Sequence, residues 1–297
     1  MKHKLLYLLI MSLINFLAII PKFLRRNFFY ILSLIVFFFA KKTNRIIKTN
    51  LNFVFKNKLA DREIISIQKY TYFNILQWVQ TIIENMTITS EEVKNDVTIE
   101  NVEIIKKLLE ENKKIIFISA HYGNIEVLSS YLNRFVLPVT QVARKSNFRI
   151  IEDYITKSRE KSGATIVYKE GALRHLIKAM KQNKAISLII DQNITPKDSV
   201  EVDFLGKRVY QSTAATILAR KFDAYIVPLA IFNLDNYKYK IKIYDTIAPI
   251  NTDNGNDDFL QLTQLQANAI SKIIEEDPKQ WFWAHKRFKG HNKEIYE

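Results

Sequence analysis

Ile115 to Ile118 is a run of apolar, mostly β-branched residues between polar neighbours, the pattern of a strand buried on both faces. Such a strand needs other strands beside it and helices over both surfaces, which narrows the fold to an α/β arrangement. The run leads through Ser119 and Ala120 into His121-Tyr122-Gly123-Asn124-Ile125-Glu126. Gly123-Asn124 is a turn pair, and Asn124 is suited to cap a helix continuing from Ile125 to Leu132. Glu126 falls in the first turn of that helix, where the dipole favours a carboxylate.

On one uniform helix His121 and Glu126 would not share a face. Across a strand-turn-helix corner they can meet. An imidazole at the carboxyl end of a strand, with a carboxylate to hold its ring, is what a general base needs to take a proton from a hydroxyl. The alternative is a histidine that only ends a strand and a glutamate that only complements the dipole.

The rest of the chain supplies more such edges. Val136 to Val142 is a candidate strand followed by the basic pair Arg144-Lys145, and Asn147 to Lys161 reads as a helix that carries Arg159. Ala164 to Tyr168 and Ala185 to Ile190 are further strands, the second ending in Asp191-Gln192. Parallel strands would bring Arg144, Asp191 and Gln192 to the same edge as His121. Tyr225 to Phe232 and Tyr237 to Tyr244 form a hairpin around Asp235-Asn236, and Asp258 to Glu276 is helical.

The N-terminus has a different character. The formal net charge is +14, and residues 1 to 60 hold eight Lys and three Arg with no Asp or Glu. Basic segments serve nucleic acid or anionic membranes; this one alternates with long apolar runs, which decides for anionic membrane lipids and against nucleic acid. Leu5 to Ile20 falls short of the roughly 20 apolar residues of a spanning helix, so it reads as a marginal span or a deep interfacial anchor. A cleaved signal peptide fits poorly, since Ile19-Ile20-Pro21-Lys22 is not a small-residue cleavage site. Phe28 to Ala40, aromatic and flanked by cations, suits a helix at the headgroup boundary, or else an ordinary buried helix. The expected division is a membrane anchor over 1–45 and a catalytic domain over 46–297. Cysteine is absent, which removes disulfides, thiolate metal sites and a thioester on the protein itself. The sequence contains no glycine-rich phosphate loop, H-E-x-x-H or G-x-S-x-G.

His121 to Glu126 resembles the H-x4-D/E signature of glycerolipid-type acyltransferases, in the glutamate form of the late (lauroyl/myristoyl) acyltransferases of lipid A biosynthesis. Asn50-Leu51 to Phe55, Asp191-Gln192 and Phe204-Leu205-Gly206 before Gln211-Ser212-Thr213-Ala214-Ala215 resemble further stretches of that family. The block Gln280-Trp281-Phe282-Trp283-Ala284-His285-Lys286-Arg287-Phe288-Lys289 closely resembles its terminal Q-x-x-W-x-H-x-R-F/W-K. The resemblance implies a mixed β-sheet flanked by helices with an N-terminal hydrophobic membrane-anchoring helix, at the cytoplasmic face of the bacterial inner membrane. It implies transfer of a fatty acyl group from acyl carrier protein to a hydroxyl of a Kdo-modified lipid A precursor, directly and without a cofactor. His121 is then the base assisted by Glu126, with Arg144, Arg159, Asp191 and Gln192 as substrate-binding candidates. Two alternatives stay open: another lysophospholipid or glycolipid acceptor, with coenzyme A carrying the donor, and a non-catalytic protein that binds acidic lipids.

Overall fold

The computed structural model describes residues 2–145 and 149–297. In chain order the elements are helices α1 (Lys2–Ile19), α2 (Lys22–Phe39), α3 (Lys41–Phe55), α4 (Asp61–Glu84) and α5 (Ser90–Asp96), then strand β1 (Val97–Glu100), α6 (Val102–Glu110), β2 (Lys114–Ser119), α7 (Ile125–Tyr131) and β3 (Val139–Ala143). They are followed by α8 (Arg149–Lys161), β4 (Thr165–Tyr168), α9 (Ala172–Lys181), β5 (Ala185–Ile189), β6 (Ser199–Phe204), β7 (Lys207–Ser212), α10 (Ala214–Phe222), β8 (Ala224–Asn233), β9 (Tyr239–Ile243) and α11 (Gly255–Glu276). The start of the expected helix from Asn147 lies in 146–148, outside the described residues. The strand expected from Val136 begins at Val139, because Leu132–Val136 prolongs α7 as a π-helical turn.

Seven strands form one sheet in the order β1-β9-β8-β2-β5-β3-β4, and β6 and β7 pair as a separate antiparallel hairpin. Strands β8, β2, β5, β3 and β4 run parallel, whereas β9 turns back against β8 and pairs in parallel with β1. The fold is therefore the mixed α/β sheet the sequence predicts. Strand β2 lies at its centre, and its period-2 geometry sorts its side chains into two cores. Ile116 and Ile118 pack with Met180 of α9, Leu218 of α10 and Ile270 of α11; Ile115 and Phe117 pack with Ile105 of α6 and Val127 and Leu128 of α7. Covering both faces explains why this strand is apolar throughout rather than alternating.

Strands β2 and β5 are neighbours, and their onward connections leave in opposite directions, to β3 on one side and β8 on the other. The crevice outside the carboxyl ends of two such strands is where open α/β sheets bind ligands. It is the place where β2 delivers His121 and β5 delivers Asp191.

The N-terminal helices attach to α4. Arg25, almost fully buried, donates from Nε and Nη2 to Glu84 Oε1 at 3.1 and 2.9 Å, and from Nη1 to the Leu17 and Ala18 carbonyls at 2.8 and 3.2 Å. One guanidinium thus caps the carboxyl end of α1 and ties it to α4. Away from α4 the side chains of Phe16, Ile19, Phe23, Phe38 and Phe39 are exposed. No single helix among the described residues is long and apolar enough to cross a membrane; α2 and α3 together meet the length and composition but are bent by 83° at their junction.

Candidate active site

The backbone hydrogen bond from Ile190 N–H to Ser119 O, 3.0 Å, carries the β2–β5 pairing to the strand ends, so Ala120-His121 and Ile190-Asp191 emerge together. The His121 backbone N–H donates to Asp191 Oδ2 at 3.0 Å, and the ring Nδ1 lies 2.8 Å from Asp191 Oδ1. The Trp281 indole N–H adds a third donor to Asp191, 2.7 Å from Oδ2. Asp191 is only 3% exposed. Burial pushes its carboxyl up, but the His121 charge, the hydrogen bonds from His121 and the Trp281 indole outweigh that and hold it down at about 2. An ionised carboxylate only accepts hydrogen bonds, so Nδ1 of His121 carries a proton, and in the neutral form of the ring Nε2 presents a lone pair. The indole of Trp78 and the ring of Phe282 flank His121, each with its centroid 6.1 Å from the imidazole.

The carboxylate that orients the His121 ring is therefore Asp191's. Glu126, expected in that place, faces elsewhere: its Oε2 and Oε1 accept from Arg159 Nε and Nη2 at 3.0 and 2.5 Å. The Gly123-Asn124 corner forms as predicted, with Asn124 Oδ1 accepting from Val127 N–H at 3.3 Å. But α7 then leaves at an angle that sends Glu126 towards α8, where Arg159 is the partner 33 residues on. Arg159, expected to grip an anionic substrate group, has its guanidinium taken by this fork-to-fork pair. Burial draws the Arg159 pKa down, and Glu126 and Glu152 more than reverse it.

Glu126 is almost fully buried, so Glu126→Ala leaves the Arg159 charge without its partner at a cost of about 3 kcal/mol. Glu126→Ala combined with Arg159→Met recovers part of that loss by removing the charge as well. Urea denaturation of the two variants checks this; a single variant as stable as the unmodified chain would refute it.

The C-terminal block shapes the other wall. Tyr122 and Trp281 form an antiparallel bridge, Phe282 N–H donates to His121 O at 2.9 Å, and Gly123 N–H donates to Gln280 O at 3.0 Å. Three consecutive residues after β5 are each held by this block: Asp191 by Trp281, the Gln192 carbonyl by Arg287 Nη1 at 2.7 Å, and the Asn193 N–H by His285 Nε2 at 2.9 Å. Arg287 is fully buried and also donates to Tyr210 O and Gln211 Oε1. Its charge meets carbonyl oxygens rather than a carboxylate, and burial pulls its pKa down to about 10. Burial also lowers the pKa of His285, in keeping with a neutral ring whose Nε2 accepts from Asn193.

Gln192 stands exposed beside the imidazole, its side-chain nitrogen 3.4 Å from His121 Nε2. Arg144 is exposed just past β3 and close enough for its charge to act on His285. The structure thus gathers His121, Asp191, Gln192 and Arg144 at one edge and pairs Glu126 with Arg159 beside it. Trp78, Trp281 and Arg287 complete the site. From sequence, Trp281 and Arg287 are only an aromatic platform with nearby cations, because nothing local says that they reach back 90 and 95 residues.

A family described as bacterial lipid A biosynthesis acyltransferase matches residues 2–290. The chain is also similar to the lipid A biosynthesis palmitoleoyltransferase of Escherichia coli (strain K12) and to the lipid A biosynthesis acyltransferase of Shigella flexneri, at 23% identity over 193 residues in each case. Those alignments cover 64% of this chain and 61% of each relative, so the chain spans less than two thirds of the length of these relatives. The family match, by contrast, runs through every element that builds the site, from the helix bearing Trp78 to the block bearing Trp281 and Arg287. This chain belongs to the bacterial lipid A biosynthesis acyltransferase family.

Proposed function

We propose that the protein is an acyltransferase that moves a fatty acyl chain from acyl carrier protein to a hydroxyl of a Kdo-modified lipid A precursor. The observation that carries this reading is His121, with Nδ1 held by a buried carboxylate and Nε2 at the carboxyl edge of the sheet, met only by the long contact from the exposed Gln192 amide. His121 Nε2 takes the proton of the acceptor hydroxyl, and the hydroxyl oxygen attacks the carbonyl carbon of the donor thioester. As the tetrahedral species collapses the C–S bond breaks, and the proton returns from His121 to the leaving thiolate. Asp191 stabilises the imidazolium between these two transfers. Glu126 acts with Arg159 in shaping the wall of the site, and Arg144 is the cation left available for an acceptor phosphate.

The exposed apolar faces of α1 and α2, with the exposed Lys41 and Lys42 beyond α2, would rest among anionic headgroups and acyl chains at the cytoplasmic side of the bacterial inner membrane. This arrangement would bring a lipid-borne hydroxyl to the site while leaving the opposite side open to a soluble, acidic carrier.

Mass spectrometry tests the reading directly. Vesicles carrying the protein, a tetra-acylated Kdo-modified lipid A precursor and a series of acyl carrier protein thioesters should give a product heavier by a single acyl group. No added mass with any donor, from folded and membrane-bound protein, would refute it.

A further inference from the structure

The segment that carries Gln192 is built with unusual asymmetry. Its backbone is pinned before and after the residue, through Asp191 to Trp281, through the Gln192 carbonyl to buried Arg287, and through the Asn193 N–H to His285. Its side chain is exposed, and the one hydrogen bond it makes among the described residues is the contact with His121 Nε2 at 3.4 Å. Because His121 Nδ1 donates to Asp191, Nε2 is the acceptor here and the Gln192 amide nitrogen the donor. At that length the bond is weak. It is easily exchanged for a better one.

The atom that must replace the amide at Nε2 is the acceptor hydroxyl, since that is where the proton goes. The thioester carbonyl carbon then lies within about 3–3.5 Å of the hydroxyl oxygen in any reactive pose. The displaced amide, its backbone held by Arg287 and His285, stays within reach of that reacting carbonyl. We infer that Gln192 is a catalytic residue: its side-chain amide donates to the oxyanion that forms on the thioester carbonyl, and Arg287 is the positioning residue that fixes the Gln192 backbone. This goes beyond a contact to bound acceptor and rests on the acyl-transfer reading above.

The new C–O bond converts the carbonyl to an alkoxide held by the Gln192 N–H, His121 holds the proton, and collapse expels the thiolate, which is reprotonated by His121. A neutral donor is suited to this charge because it needs no counter-ion and its position is set before the reaction begins. Removing one such donor typically costs about 10²–10³ in turnover.

Steady-state kinetics of the full chain in lipid vesicles, with separate variation of thioester and lipid acceptor, tests the assignment. Gln192 is exposed, so Gln192→Ala should fold. Its kcat should fall about 10²-fold or more, with KM for both substrates within about threefold. Gln192→Glu keeps the shape but replaces the donor with an acceptor, and its kcat should fall at least as far. Arg287→Lys lowers kcat as well, and combined with Gln192→Ala adds little further loss, since both act on one interaction. A raised KM for the acceptor with kcat intact would make Gln192 a binding residue and overturn the inference, as would unchanged kinetics. If the unmodified protein transfers nothing, the acyl-transfer reading fails together with this inference; if it turns over and Gln192→Ala matches it, the inference alone fails.

Discussion

His121→Ala lowers the turnover of acyl transfer by about 10³-fold or more, within the range for loss of a positioned general base, while vesicle binding of the folded protein stays unchanged. Asp191→Asn lowers it by a similar order, for a different reason. An asparagine in that place can turn its amide towards Nδ1, which makes Nδ1 an acceptor and moves the ring proton to Nε2, where it blocks the base. The expected pattern is thus two severe variants at His121 and Asp191. Turnover of the panel by radiolabelled acyl transfer decides the matter. If Asp191→Asn retained full turnover, the carboxylate would not be orienting the base.

Asp191 also links the site to stability. Its folded pKa lies below that of an ordinary carboxyl, so its ionisation stabilises the fold at pH values above about 4, and that contribution disappears as pH falls towards 2. Asp191→Asn flattens this part of the pH-stability curve.

The sheet and the corner were legible because their causes are local. Ile115 to Ile118 is apolar and β-branched because both faces of β2 are covered, and Asn124 caps α7 because its side chain is short enough to reach the Val127 N–H. The place of His121 at the end of that strand could be read as well. Its partner could not. The choice between Glu126 and Asp191 depends on β5 lying beside β2 and on the angle at which α7 leaves the corner, and neither is written in the six residues of the motif. The same holds for Arg159: its helix was foreseen, but that it meets Glu126 across 33 residues is a fact of packing. At the N-terminus the apolar runs gave helices, while the Arg25–Glu84 pair that anchors them joins residues whose charges carry no local pattern.

Gly123→Ala is expected to destabilise the fold severely and to cost turnover as well. Gly123 has φ of +55°, a left-handed conformation that costs a side chain about 1–3 kcal/mol on its own. The space is worse than the angle, because a Cβ there would lie 2.0 Å from the carbonyl oxygen of Ile231, on strand β8 in the centre of the sheet, and 3.2 Å from Asn233 Oδ1. Neither neighbour can yield cheaply. Ile231 is fixed by its pairing with β9, and Asn233 Oδ1 is held where it accepts from the Asn124 N–H at 2.8 Å. The corner itself would have to move, yet the Gly123 carbonyl accepts from Asn74 Nδ2 and Trp78 Nε1 at 2.9 and 2.7 Å, and its N–H donates to Gln280. Strain and overpacking together amount to about 3 kcal/mol or more, a fall in Tm of roughly 5 °C or more for a chain of this size. What survives folding should also have lost turnover, because a corner pushed off β8 carries His121 away from Asp191. Thermal unfolding and kinetics on the same preparation test both halves. A Gly123→Ala protein with the original Tm would mean that the corner is far softer than its hydrogen bonds imply.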